Sequence, residues 1–301
     1  MAANNKTTTT FYQPMKYKLL YFILSLLIIL PGTYSLLRYG LKFSVEFTGG
    51  SVLSFTAKPD ISIETLKQAM VYNHLSLRDF DHQNNLWRLT TSPLSQEQES
   101  KLIATLSQHS QIQVKEFYTV GATLGKELVL KTIYGLLLAA SLILIYIALR
   151  FRNFKFGVSA VVAMLHDALV LLGVFSLLGH FYNLKVDSLF VTAVLTVLSF
   201  SVYDTVVVYD RIRELQKHHP YLDFETIVNR AVVEIISRSL NNSLTIIFML
   251  LAMYLLGGST IRNFVLALLI GTVSGTYSST FNAVPLLVVW HNWEEHRRHR
   301  L

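Results

Sequence analysis

Residues 157–178 read GVSAVVAMLHDALVLLGVFSLL, an apolar run broken near its middle by His166 and Asp167. At about 1.5 Å of rise per residue, a helix of this length covers a bilayer core of about 30 Å. Similar runs lie on either side of it, at 19–37, 128–149, 188–209, 240–257 and 264–289. Of the 301 residues, 52% are hydrophobic and only 15% charged, where a soluble domain keeps its surface wet with roughly 25% charged residues. The chain therefore reads as an α-helical membrane protein with six transmembrane helices, and a soluble enzyme is excluded. The absence of cysteine excludes disulfides, thiolate zinc sites and iron–sulfur clusters.

The formal net charge is +7, and its placement gives the orientation. Lys6, Lys16 and Lys18 precede the first run; Arg150, Arg152 and Lys155 follow the second; Arg211, Arg213, Lys217 and Arg230 follow the fourth; Arg297, Arg298 and Arg300 follow the sixth. The short loops on the other side hold Lys185 and Arg262. Because cytoplasmic loops retain positive charge during insertion, both termini are expected in the cytoplasm and residues 38–127 outside. The excess cations are explained by insertion, so nucleic acid is not expected as a partner. The organisation is then a flexible cytoplasmic tail at 1–15, helix one at 16–37, an outer domain at 38–127, helices two to six at 128–289 and a basic tail at 290–301. A cleaved signal peptide fits the first run poorly: it is too long, and PGTYSLLRYG has no small-x-small cleavage site. RFRNFKF (150–156) mixes cations with aromatics, as an interfacial anchor touching anionic lipid would.

The outer segment follows another periodicity. SVLSFTA alternates like a strand, ISIETLKQAMVYNHL is apolar at helical spacing, LSLRDFD and LWRLTTS read as strands, SQEQESKLIATLSQ as a helix and IQVKEFYTV as a strand. This β-α-β-β-α-β order suits a small α+β ferredoxin-like domain between helices one and two. Ser95 with Gln98 offers a capping box, and Ser62 a cap for the earlier helix.

A carboxylate within hydrocarbon costs several kcal/mol unless neutralised, paired or hydrated. Asp167, beside His166, and Asp204, in a span rich in Thr and Ser, both need a reason. One reading is proton exchange, because a carboxyl in a poorly hydrated site binds protons more tightly; the other is a hydrogen bond that glues helices. His166 by itself is more often a packing residue. The fifth apolar run is too short to cross on its own, LTIIFMLLAMYLL being 13 residues, so its helix must extend back through SRSLNNS. That puts Asn241 and Asn242 in the membrane and Arg238 near its cytoplasmic edge, where it either pairs with an acid on span four or snorkels. Gly271 and Gly275 form a small-xxx-small pair for close helix packing.

Several strings together resemble the SecD/SecF family of protein-export membrane proteins, in the resistance-nodulation-division superfamily: FSVEFTGGSVL (43–53), VGATLGKEL (120–128), HD (166–167), YDTVVVYDRIRE (203–214), SRSL (237–240) and YLLGGSTIRNFVLALLIGTVSGTYSS (254–279). Tyr203 stands where the family usually has Asn, and Ala122 where it has Pro. The resemblance implies a plasma-membrane subunit that works with SecD beside the SecYEG channel, in contact with a translocating unfolded polypeptide, and with YajC and a YidC-type insertase as further partners. The energy source is the proton gradient, with no cofactor. It implies Asp204 as proton carrier, Arg238 as its cytoplasmic-side modulator and Asp167 in the same relay, with Thr205, His166, Asn241 and Asn242 as polar support. Glu46, Gly49, Gly50, Asp210, Arg211, Gly257 and Gly258 are structural positions of its motifs. A lipid or small-molecule exporter of the same superfamily would share the intramembrane acids but carry more outer modules than about 90 residues can build. A scaffold or sensor would have no need of a titrating Asp204.

Overall fold

The computed structural model describes residues 13–83, 85–151 and 153–298. Lys6, Arg152, Arg300 and all but the end of the expected N-terminal tail lie outside them. A 3-10 turn at Pro14–Tyr17 leads into α1 (Lys18–Tyr39), followed by α2 (Val45–Thr48), β1 (Gly50–Lys58), α3 (Ile63–Tyr72), β2 (Leu77–Gln83), β3 (Leu86–Thr91), α4 (Gln96–Ser107) and β4 (Gln111–Val120). Then come α5 (Ala122–Arg150), α6 (Phe154–Tyr182), α7 (Ser188–His218), α8 (Phe224–Leu256), α9 (Ser259–Ser278), a π turn (Ser279–Ala283) and α10 (Val284–Arg298). Among the described residues, six helices are long and apolar enough to cross a membrane, the last built from α9, the π turn and α10. The described residues form two compact units, the smaller comprising Phe43–Leu136 and Lys185–Ser188.

In the small unit the strands form one antiparallel sheet in the order β2-β3-β1-β4. Alternate residues of β1 and β3 point one way, because strand side chains have a period of two. Leu53, Phe55 and Ala57 meet Trp87 and Leu89 there, under Leu66 and Met70 of α3 and Leu102 and Leu106 of α4. Both helices thus cover one face. Their starts are set as the sequence implies: Ser62 Oγ accepts from Thr65 N at 3.1 Å, and Ser95 and Gln98 form the capping box.

In the helical unit, small residues let helices approach. Gly32 of α1 faces Gly173 of α6 so closely that a methyl on either would touch the other's backbone, and Ser35 and Ser176 share a hydrogen bond of 2.8 Å beside them. Within the expected flexible tail, the described residues 13–15 are held in place. Met15 is 0% exposed, and its N–H donates to Asn229 Oδ1 at 2.9 Å. Lys18 adds an ion pair with Glu225 at 3.2 Å. Polarity misled there, since two anchors of α8 hold a segment that has no pattern of its own.

The RFRNFKF segment also makes contacts within the chain. Phe151 and Phe156 are buried with their rings against Tyr209, Arg150 pairs with Asp210, and Lys155 pairs with Glu294 at 2.6 Å. Burial of the two rings and internal neutralisation of two cations give the described part of this segment a packing role beside any contact with lipid. Phe154 remains the outward-facing aromatic.

Candidate functional site

Asp204 lies on α7, three residues after buried Ser201 and next to Tyr203, which is 63% exposed. Its half-buried carboxyl lines a cavity of about 470 Å³ between α7, α8 and α9. Ser199, Tyr203, Asn242, Ser243, Thr272 and Thr276 give that cavity its polar wall. Thr276 Oγ1 lies 2.7 Å from Ser243 Oγ, while Thr272 Oγ1 is buried with no partner. Asp204 itself makes no hydrogen bond or ion pair among the described residues. The carboxyl thus shares a cavity with hydroxyl and amide groups, and among the described residues no cation pairs with it.

The cavity wall on α9 depends on glycine. A methyl on Gly271 would collide with the side chain of Val197, whereas one on Gly275 would sit 3.5 Å from Ser201 Cα, an ordinary contact. The pair therefore does what its spacing predicts and brings α9 onto α7, most tightly at Gly271.

Asp167 has the opposite surroundings. It is 0% exposed and accepts from Ser274 Oγ at 2.6 Å and Ser278 Oγ at 2.5 Å, with His166 Nδ1 3.0 Å from its Oδ1. His166 Nε2 is buried without a partner. The two serines were not singled out from sequence, although their i, i+4 spacing on a helix predicted to pack closely was the available signal. Gly275 connects the two acids. It lines the cavity, and a Cβ there would lie 3.7 Å from Asp167 Oδ2.

The remaining candidates divide. Asn242 joins the cavity. Thr205 is buried and its Oγ1 donates to the Ser201 carbonyl at 2.9 Å, so it faces its own helix rather than the site. Asn241 is exposed, and its carbonyl accepts from Thr245 Oγ1. Arg238 is exposed and makes no ion pair among the described residues, so of its two readings the pairing with an acid of span four is not found. The polarity is reversed: Arg211 of α7 binds Glu234 of α8, at 2.7 Å through Nε, and Arg230 joins at 3.0 Å. Glu234 was missed because α8 runs far beyond SRSLNNS, back to Phe224, which brings its charged first half alongside YDRIRE. Asp210 pairs with Arg150 of α5, giving the YDRIRE motif a helix-locking role. Gly257 and Gly258 make the turn from α8 to α9, where a side chain on Gly257 would strike the Met253 carbonyl. Gly49 and Gly50 adopt φ of +70° and +140°, values that disfavour other residues. Gly49 also abuts Ala122 at the start of α5. Among the described residues no three His, Asp or Glu side chains converge as metal ligands would.

The family model described as "Protein export membrane protein SecD/SecF, C-terminal" matches residues 100–293, well over half the chain. The chain belongs to the SecD/SecF family. The protein translocase subunit SecF of Thermobaculum terrenum is 42% identical over 296 residues, covering 92% of this chain and 93% of that one. The SecF subunit of Anaerolinea thermophila is 37% identical, with 91% and 92% covered. The crystal structure of SecDF from Thermus thermophilus matches with a TM-score of 0.84 and 31% identity, over 93% of this chain and 39% of that one. The chain thus spans about two fifths of the SecDF protein, and the SecD/SecF fold extends over both of its compact units.

Proposed function

We propose that this chain is an accessory subunit of the Sec protein translocase that uses the proton-motive force, together with SecD, to promote polypeptide export across the bacterial plasma membrane. The observation that carries the reading is the carboxyl of Asp204, without a partner among the described residues, on a cavity of the helical unit whose largely apolar lining is interrupted by hydroxyl and amide groups. In this reading both termini are cytoplasmic. The small unit is a ferredoxin-like domain on the outer side, a reading supported by its strand order and by both helices covering one face. Asp204 takes a proton from one side and releases it to the other as access alternates. Arg238 stands four residues before Asn242 on α8, hence on the same helical face, and biases release on the cytoplasmic side. One charge moved through about 100 mV yields about 2.3 kcal/mol, so one or two protons shift a two-state domain motion strongly.

SecD as a partner is supported by the fused SecDF relative, which is 34% identical over 263 residues and of which this chain covers 35%. SecYEG, the translocating polypeptide, YajC, a YidC-type insertase and anionic lipid complete the proposed surroundings.

The decisive experiment is Asp204→Asn in inverted vesicles with an imposed proton gradient. The substitution is expected to leave insertion and partner binding intact and to remove the gradient-dependent increment of export. Full export in the variant would overturn the reading. A pull-down that recovers a SecD-like partner and the channel supports it, whereas an efflux adaptor in their place would point to a small-molecule exporter.

A further inference from the structure

The motif FSVEFTGG (43–50) has glycines that explain themselves and an acid that does not. Glu46 lies in the first turn of α2, where Ser44 caps the helix by accepting the Glu46 N–H at 3.3 Å. Its carboxylate reaches 142 residues along the chain: Oε2 accepts from Ser188 N at 2.9 Å. Ser188 is the first residue of α7, the helix that carries Asp204. The opening N–H groups of a helix find no acceptor within it, and its dipole favours an anion at that end.

Other contacts hold the same short connection. Phe43 bridges Val186, and Ser44 N donates to the Val186 carbonyl at 2.8 Å. Lys185 Nζ lies 2.6 Å from Asp79 Oδ2 and 3.2 Å from Thr90 Oγ1, tying the connection to β2 and β3. Lys185–Ser188 accordingly belong to the small unit, while α7 from Leu189 onward belongs to the helical one. A single unbroken helix therefore begins in the small unit and carries Asp204 sixteen residues later, about 24 Å along its axis.

We propose that Glu46 is a positioning residue: it clamps the N-terminal end of α7 into the small domain, so that displacement of α7 when Asp204 changes protonation is delivered to that domain as a rigid-body movement. This rests on the relay reading of Asp204, and the test separates the two. Vesicles holding the complete translocase are assayed for acid-driven proton uptake and for gradient-dependent export. Glu46→Ala is expected to leave proton uptake unchanged while export falls about tenfold, the size of an ordinary coupling free energy between sites. A cross-link at the same joint supplies the second measurement. The chain has no cysteine, so Phe43→Cys with Val186→Cys places one pair across the bridge, and a disulfide closes it where the Cα atoms come within roughly 4.4–6.8 Å. Oxidation is expected to leave export unchanged in the otherwise unaltered chain and to restore it in Glu46→Ala, with reversal on reduction. Unchanged export in Glu46→Ala overturns the proposal, as does parallel loss of uptake and export that the cross-link does not restore, or loss of export when the joint is locked. If Asp204→Asn lowers neither signal, the relay falls and the clamp with it. If Asp204→Asn lowers both and Glu46→Ala neither, the clamp alone is overturned.

Discussion

Two aspartates inside the same helical unit have opposite environments. Asp167 is sealed between α6 and α9 with two serine hydroxyls and a histidine on its oxygens, whereas Asp204 faces a cavity with no partner. A buried carboxyl whose two oxygens both accept hydrogen bonds is held in one geometry, because breaking those bonds in a medium that offers no replacement is costly. A carboxyl without fixed partners gains or loses a proton with little rearrangement. Of the two, only Asp167 is placed to hold helices together, so two intramembrane acids in one chain need not share a role.

The largest effect should come from Asp204→Asn, with gradient-dependent export abolished and thermal stability in detergent unchanged, since no hydrogen bond is removed. Next is Asp167→Ala, which strands two serine hydroxyls and the His166 Nδ1; at roughly 1 kcal/mol per contact it should cost about 3 kcal/mol, read as a lowered Tm. If instead Asp167→Ala spares stability and Asp204→Asn destroys it, the contrast between the two acids is wrong.

The wall between them supplies a smaller effect. Gly271→Ala overpacks against Val197 and should cost about 1–2 kcal/mol, relieved when combined with Val197→Ala. Gly275→Ala, which meets only ordinary contacts, should be near neutral in the same melt. The smallest effect concerns an acid outside the membrane segments. Asp223 caps α8, and hydrogen bonds from the Thr226 side chain and its backbone N–H, the latter at 2.9 Å, hold its carboxyl below the ordinary carboxylate range. A lowered folded-state value stabilises fully above the unfolded value, roughly pH 4, and the contribution is lost as pH falls through the folded value below it. Asp223→Ala should loosen the start of α8 by about 1 kcal/mol, seen as faster amide exchange at residues 224–228. Asp223→Asn should keep most of the cap and lose its pH dependence, and neither change should alter proton-dependent export.

Much of this was legible beforehand, for identifiable reasons. The strands and longer helices of the small unit match their periodicities within three residues at each end, because side-chain alternation and helical spacing are local properties. Ser62 and Ser95 cap as read, since a cap acts over three residues. Asp204 and Asn242 reach one cavity, but the partners of Asp167 did not show, and neither did Glu234, because a hydrogen bond between serines on one helix and an acid on another leaves no local trace. Arg238 was left with two readings, pairing or snorkelling, for a related reason. Its neighbours depended on where α8 begins, about sixteen residues earlier than the apolar run suggests.

By itself, the order of amino acids determined the bilayer as solvent, the six crossings, the alternation that builds the small sheet and the short set of acids that hydrocarbon makes costly. These follow from transfer free energies and from chain periods of 2 and 3.6, which act on neighbours. Only the folded chain decided which of the two aspartates is saturated and which stands open, and that Glu46 meets the first residue of α7. Those outcomes depend on packing between segments more than a hundred residues apart, where hydrogen-bond geometry, not composition, selects the partner.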